Sequence, residues 1–92
     1  MRRVTGNSAI TAFVFIIVPA NNSGNVVATL MDEYSEFVLE AAAVYGEADV
    51  IAKVETPSIG QLHRLVMEKI QNIPHVRVTR TYIIVPQHHQ IR

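Results

Sequence analysis

The chain has no cysteine and no tryptophan among its 92 residues, and only 17% of it is charged. Without cysteine no disulfide can staple the fold or make up for a small core, and no Cys-His nucleophile can be assembled. The lack of cysteine also fits a cytoplasmic protein. Charge of one sign is missing as well: eight basic residues balance eight acidic ones. No net field draws the chain to phosphate, so duplex DNA binding by this domain alone is not expected. Long hydrophobic runs are absent too. The longest apolar stretch, Ala12 to Val18, is too short to cross a bilayer, so no membrane partner is expected.

Apolar content, by contrast, is plentiful at 49%. A chain this short forms one domain and buries only about 60–65% of the surface its unfolded form exposes. That leaves more apolar surface than one small core can hide, and oligomerisation is the ordinary remedy. Arg2 and Arg3, the run Ala12–Val18 and Val18-Pro19-Ala20 together imitate a short secretory signal. The β-forming content of Phe13-Val14-Phe15-Ile16-Ile17-Val18 favours a strand instead.

Ile10 to Val18 reads as a strand apolar on both sides, closed by Pro19 and the Asn21-Asn22-Ser23-Gly24 cluster. Asn22 or Ser23 can cap a helix whose apolar face is Val26, Val27, Leu30 and Met31. Glu36 to Tyr45 reads as a second strand, with Phe37, Leu39, Ala41, Ala43 and Tyr45 on one face and Val38, Ala42 and Val44 on the other. Gly46-Glu47-Ala48-Asp49 is a tight turn into a third strand, Val50–Glu55, so the two strands should pair as a hairpin. Thr56-Pro57 predicts the start of a second helix, with the hydroxyl as cap and proline at the first helical position. Its stripe is Leu62, Leu65, Val66, Ile70 and Ile73, and Pro74 stops it. A last strand runs from Val76 to Val85. The sequence divides into an extension (1–9), a folded domain (10–85) and a tail without pattern (86–92).

The order β-α-β-β-α-β predicts an α+β, ferredoxin-like fold. Its four-stranded antiparallel sheet should carry two helices on one face. The open face should be polar, but both sides of the first strand are apolar. A sheet apolar on both faces needs a second cover, and a twofold dimer of the same face provides one.

These residues resemble the effector-binding (RAM) domain of Lrp/AsnC transcription regulators, in its stand-alone form. The resemblance covers roughly Thr11 to Val85. It rests on Ala12-Phe13-Val14-Phe15-Ile16, on Val44-Tyr45-Gly46-Glu47-Ala48-Asp49-Val50, on the helix with Leu62, Val66 and Ile70, and on Val76-Arg77-Val78-Thr79-Arg80-Thr81-Tyr82-Ile83-Ile84. Family members usually carry an aromatic residue where this chain has Ala48, and full-length members carry an N-terminal helix-turn-helix for which the chain has no room. The resemblance implies dimeric α/β barrels packed sheet to sheet, assembling into tetramers or octamers. It also implies an amino-acid effector bound between dimers beside the hairpin, and possible co-assembly with full-length Lrp/AsnC regulators. Tyr45, Gly46, Glu47, Asp49, Thr79 and Thr81 are the implied ligand residues. Asp49 would accept from the ammonium, while N–H groups around Gly46 and the two threonine hydroxyls serve the carboxylate.

Each of these residues also has a plainer role. Gly46 suits a positive-φ turn, Asp49 can satisfy turn N–H groups, and Thr79 and Thr81 are ordinary strand residues. His63 has no partner at i+4, His75 sits at a corner, and His88-His89 lie in the tail, so neither a metal nor a cofactor is expected. No Ser-His-Asp or paired-carboxylate order stands out, and no catalytic residue is assigned. Two other classes share the fold: small dimeric α/β-barrel enzymes, either cofactor-free monooxygenases or isomerases, and ACT-like amino-acid-binding domains. Fold alone does not separate them from a sensor.

Overall fold

The computed structural model describes residues 9–92; the Arg2-Arg3 segment and most of the extension lie outside the described residues. Strand β1 (Ile10–Ile17) leads through a short 3-10 turn (Ala20–Asn22) into α1 (Ser23–Glu33). Strands β2 (Val38–Ala43) and β3 (Val50–Thr56) follow. Helix α2 (Ile59–Arg64) continues as a π-turn (Leu65–Lys69) and a 3-10 turn (Ile70–Asn72) before β4 (Val78–Ile83). The tail, without pattern in the sequence, makes one further 3-10 turn at Pro86–His88.

The strands form one antiparallel sheet in the order β2-β3-β1-β4. This is the ferredoxin-like arrangement, with β1 and β3 at the centre. Ala12, Val14 and Ile16 of β1 and Val50, Ala52 and Val54 of β3 are fully buried. They pack with Val26 and Leu30 of α1 and with Leu62, Leu65, Val66, Ile70 and Ile73 of the second helical segment. Period-two burial along both central strands is what a sheet covered by helices on one face produces.

Strand β4 is two residues shorter at each end than Val76–Val85, and three further local expectations change. The second helix begins at Ile59, not at Thr56-Pro57. Thr56 is retained by β3, opposite Ile10, and its hydroxyl donates to the Ser58 carbonyl at 2.9 Å. Ser58 is the cap, its Oγ accepting from the Gln61 N–H. Strand β2 is shorter than Glu36–Tyr45, and its two-face alternation breaks. Val38 lies opposite Val54 and Glu40 opposite Lys53, so two residues of β2 match one of β3. This bulge puts Val38, Ala41 and Ala43 on one face, where unbroken alternation would divide them. Thirdly, the second helix is not regular. Helical spacing from Leu62 and Leu65 would turn Lys69 inward. The π-turn adds one residue, so Ile70 is fully buried while Lys69 stays exposed.

The other sheet face has no cover among the described residues. Thr11, Phe13, Phe15 and Ile17 of β1 point there, beside Ile51 and Lys53 of β3 and Val78, Arg80 and Tyr82 of β4. The Phe15 and Tyr82 rings meet edge to face at 4.9 Å, and the Lys53 ammonium lies 5.9 Å from the centre of the Phe13 ring. Tyr82 nonetheless stays 52% exposed and Val78 42%. An aromatic and aliphatic surface of this kind is a candidate interaction face.

Candidate functional site at the β2–β3 turn

The turn between β2 and β3 is built against the end of β1. The Val44 N–H donates to the Asp49 carbonyl at 3.0 Å, which closes the loop, and the Asp49 N–H donates to the Ile16 carbonyl at 3.0 Å. Asp49 Oδ2 accepts the Val18 N–H at 3.0 Å. Gly46 has φ 151°, a region that side chains disfavour, although a Cβ there would meet nothing within 4 Å. Glycine is required at this position by backbone conformation and not by space. Tyr45 and Glu47 project into solvent, while Ala48 is buried.

Beneath this turn, on the uncovered sheet face, lies a cavity of about 340 Å³. Its floor is Phe15, Ile17, Ile51 and Tyr82, and Val44, Tyr45, Gly46, Glu47 and Ala48 form its turn side, with Arg80 at the β4 wall. Arg80 is there because β4 pairs with β1 in a register that sets it opposite Phe15. Among the described residues neither Glu47 nor Arg80 makes an ion pair or side-chain hydrogen bond. A carboxylate and a guanidinium over an apolar floor can take a zwitterion with an apolar body. The guanidinium offers a bidentate match to a carboxylate, and the Glu47 carboxylate can accept from an ammonium.

Of the expected ligand residues, the structure brings together Tyr45, Gly46 and Glu47 at this cavity. Asp49 lies at the same turn with Oδ2 engaged by Val18. Thr79 and Thr81 are not brought to it within the chain. They stand opposite Ile16 and Val14, so their side chains leave β4 on the helix-covered side, and Thr79 Oγ1 donates to Gln71 Oε1 at 2.6 Å. Sequence reading missed Arg80 and the aromatic floor. The signal was the shared parity of Val78, Arg80 and Tyr82, which becomes informative only once the pairing partner of β4 is known.

Asp49→Ala should lower stability by about 1–3 kcal/mol, because it leaves the part-buried Val18 N–H without its acceptor. Asp49→Asn, which keeps a carbonyl oxygen, should recover most of that loss; urea denaturation of the three proteins measures it.

The family model of the Lrp/AsnC ligand binding domain matches residues 11–90. The chain belongs to this family. A hypothetical protein, PHS023, of Pyrococcus horikoshii is 34% identical over 88% of this chain and 99% of its own, with a TM-score of 0.74. The Lrp/AsnC likeness extends to AsnC of E. coli at 26% identity and a TM-score of 0.81, covering 100% of this chain but 64% of AsnC. The feast or famine regulatory protein (Rv3291c) of M. tuberculosis, solved in complex with L-methionine, is 28% identical over 90% of this chain and 54% of its own, with a TM-score of 0.70. No curated protein sequence matches. An Lrp/AsnC ligand-binding domain is a regulatory module. Among the described residues, no helix is long and apolar enough to cross a membrane.

Proposed function

We propose that this Lrp/AsnC domain is a cytoplasmic amino-acid sensor and not an enzyme, and that its effector binds in the cavity at the β2–β3 turn. The observation that carries this reading is that Glu47 and Arg80, neither engaged by another side chain among the described residues, line one cavity with Phe15, Ile17, Ile51 and Tyr82 as its apolar floor. Arg80 takes the effector's carboxylate, Glu47 takes its ammonium, and the floor takes an apolar side chain. Tyr45 and Gly46 shape the rim. Asp49 secures the turn from behind, and Thr79, tied to Gln71, secures β4. Binding of L-methionine by the M. tuberculosis relative supports an effector of this class.

Because the cavity opens on the uncovered sheet face, a second copy packed on that face would roof it. Dimers, and tetramers or octamers built from them, link effector occupancy to assembly, and through assembly to full-length Lrp/AsnC regulators. With eight charges of each sign, the domain acts on transcription without holding DNA itself. A gel shift at physiological salt should show no sequence-selective binding to duplex DNA.

A thermal-shift screen of the twenty amino acids tests the reading, since a ligand bound only by the folded form raises the melting temperature. Arg80→Ala should weaken the best ligand by about one to two orders of magnitude, the loss of a charge-assisted contact of about 1.5–3 kcal/mol. Calorimetry showing unchanged affinity in a folded, assembled Arg80→Ala protein removes Arg80 from the site.

A further inference from the structure

A second and larger cavity, of about 540 Å³, lies away from the β2–β3 turn, where the end of α1 meets the start of α2. Its apolar lining is Tyr34 and Phe37, both half-buried, the buried Leu65, and Pro57. Its two walls carry opposite charges from different elements. Glu33 closes α1 and Glu36 follows it, while Arg64 and Lys69 project from the second helical segment. Among the described residues none of these four side chains makes an ion pair or a hydrogen bond.

Two further features set this cavity apart from ordinary surface charge. The last turn of α1 contains Asp32 and Glu33 and no basic residue. Carboxylates there face the negative end of the helix dipole, an arrangement that a bound cation relieves. The opposite wall ends in the π-turn, whose extra residue is what turns Lys69 out of the core and toward the cavity. Irregular turns of this kind recur at functional sites.

We infer that this groove binds a short peptide with free ends. The α-ammonium lies at Glu33 and Glu36, the α-carboxylate at Arg64 and Lys69, and an apolar side chain rests on Tyr34, Phe37 and Leu65. The Gln61 amide, on the same wall as Arg64, offers both a donor and an acceptor to a peptide group. Size selects a peptide over one amino acid. The groove exceeds the turn cavity by about 200 Å³ (540 against 340), which leaves room for more than one residue of a ligand. The groove is on the helix side of the sheet, so packing of the uncovered sheet face against another copy leaves it open.

The test is calorimetric titration of the assembled wild-type protein with unblocked dileucine and trileucine, with the same peptides acetylated and amidated, and with leucine. Unblocked peptides should bind at least ten-fold tighter than the blocked forms. Arg64→Glu and Glu36→Lys, both at exposed positions, should each weaken them at least ten-fold without lowering the melting temperature. Hydrogen exchange of the wild-type protein locates the site even where a variant folds poorly: unblocked peptide should slow exchange at residues 33–37 and 61–69 and leave 44–49 unchanged. Equal affinity for blocked and unblocked peptides overturns the inference. So does wild-type affinity in both variants, protection confined to 44–49, or no binding at millimolar peptide.

Discussion

Phe15→Asp is expected to abolish the proposed packing of copies through the uncovered sheet face and leave monomers. Phe15 lies on the uncovered face, edge-on to Tyr82, and no helix among the described residues covers it. An aromatic residue at the middle of an interface commonly contributes about 2 kcal/mol or more. A twofold contact uses the residue twice, so the dimer should weaken by about 4 kcal/mol, roughly a thousand-fold. The carboxylate adds a desolvation cost on top of this. Sedimentation equilibrium at micromolar concentration reads the result directly. Far-ultraviolet circular dichroism should retain the native spectrum, because the Phe15 side chain is on the opposite side of β1 from Val14 and Ile16. A Phe15→Asp protein that stays assembled with wild-type affinity would show that another surface holds the copies together.

Ile70→Ala should cause the largest loss of folding stability among conservative changes at the second helical segment. Ile70 is fully buried, and truncating such a residue costs about 2–5 kcal/mol, through lost transfer energy and the cavity left behind. In a domain of this size each kcal/mol lowers the melting temperature by about 4–8 °C. The paired control is Lys69→Ala, which should stay within about 0.5 kcal/mol of wild type. Thermal unfolding at one fixed protein concentration keeps any linked dissociation constant across the series. If Lys69→Ala proved the more damaging of the two, the π-turn would have been assigned the wrong inward residue.

That pair shows how much of the fold was legible in the sequence. The stripe Leu62, Leu65, Val66, Ile70 and Ile73 already identifies the inward face, and all five are buried. The stripe does not show how the backbone accommodates the five-residue step from Leu65 to Ile70. A side chain's hydrophobicity states where it must go, and the packed core decides how the helix is wound to take it there. Thr56-Pro57 illustrates the same limit. A hydroxyl before proline is a sound helix-start signal, yet the ladder with Ile10 holds Thr56 in β3 and passes the cap to Ser58. Strand pairing outweighed a local preference.

The candidate site divides along the same line. The turn was legible because Gly46 and Asp49 carry local chemistry: one permits a positive φ, the other accepts a backbone N–H. Grouping Thr79 and Thr81 with that turn required knowing which way β4 faces. Parity along a strand says which residues share a face, but not which face meets the helices.

The sequence by itself therefore determined the element order, the two-sided apolarity of the central strand, the inward helix stripes and the family. All of these follow from periodicity, composition and motif, which are properties of neighbours along the chain. Only the tertiary structure decided the bulge in β2, the π-turn, the roles of Asp49 and Thr79, and the placing of Glu47 and Arg80 at one cavity with Phe15. Each of those depends on register between segments distant in sequence. Register follows from which face of each strand the core buries and from the turns that join the strands, so it is fixed only when these segments pack together.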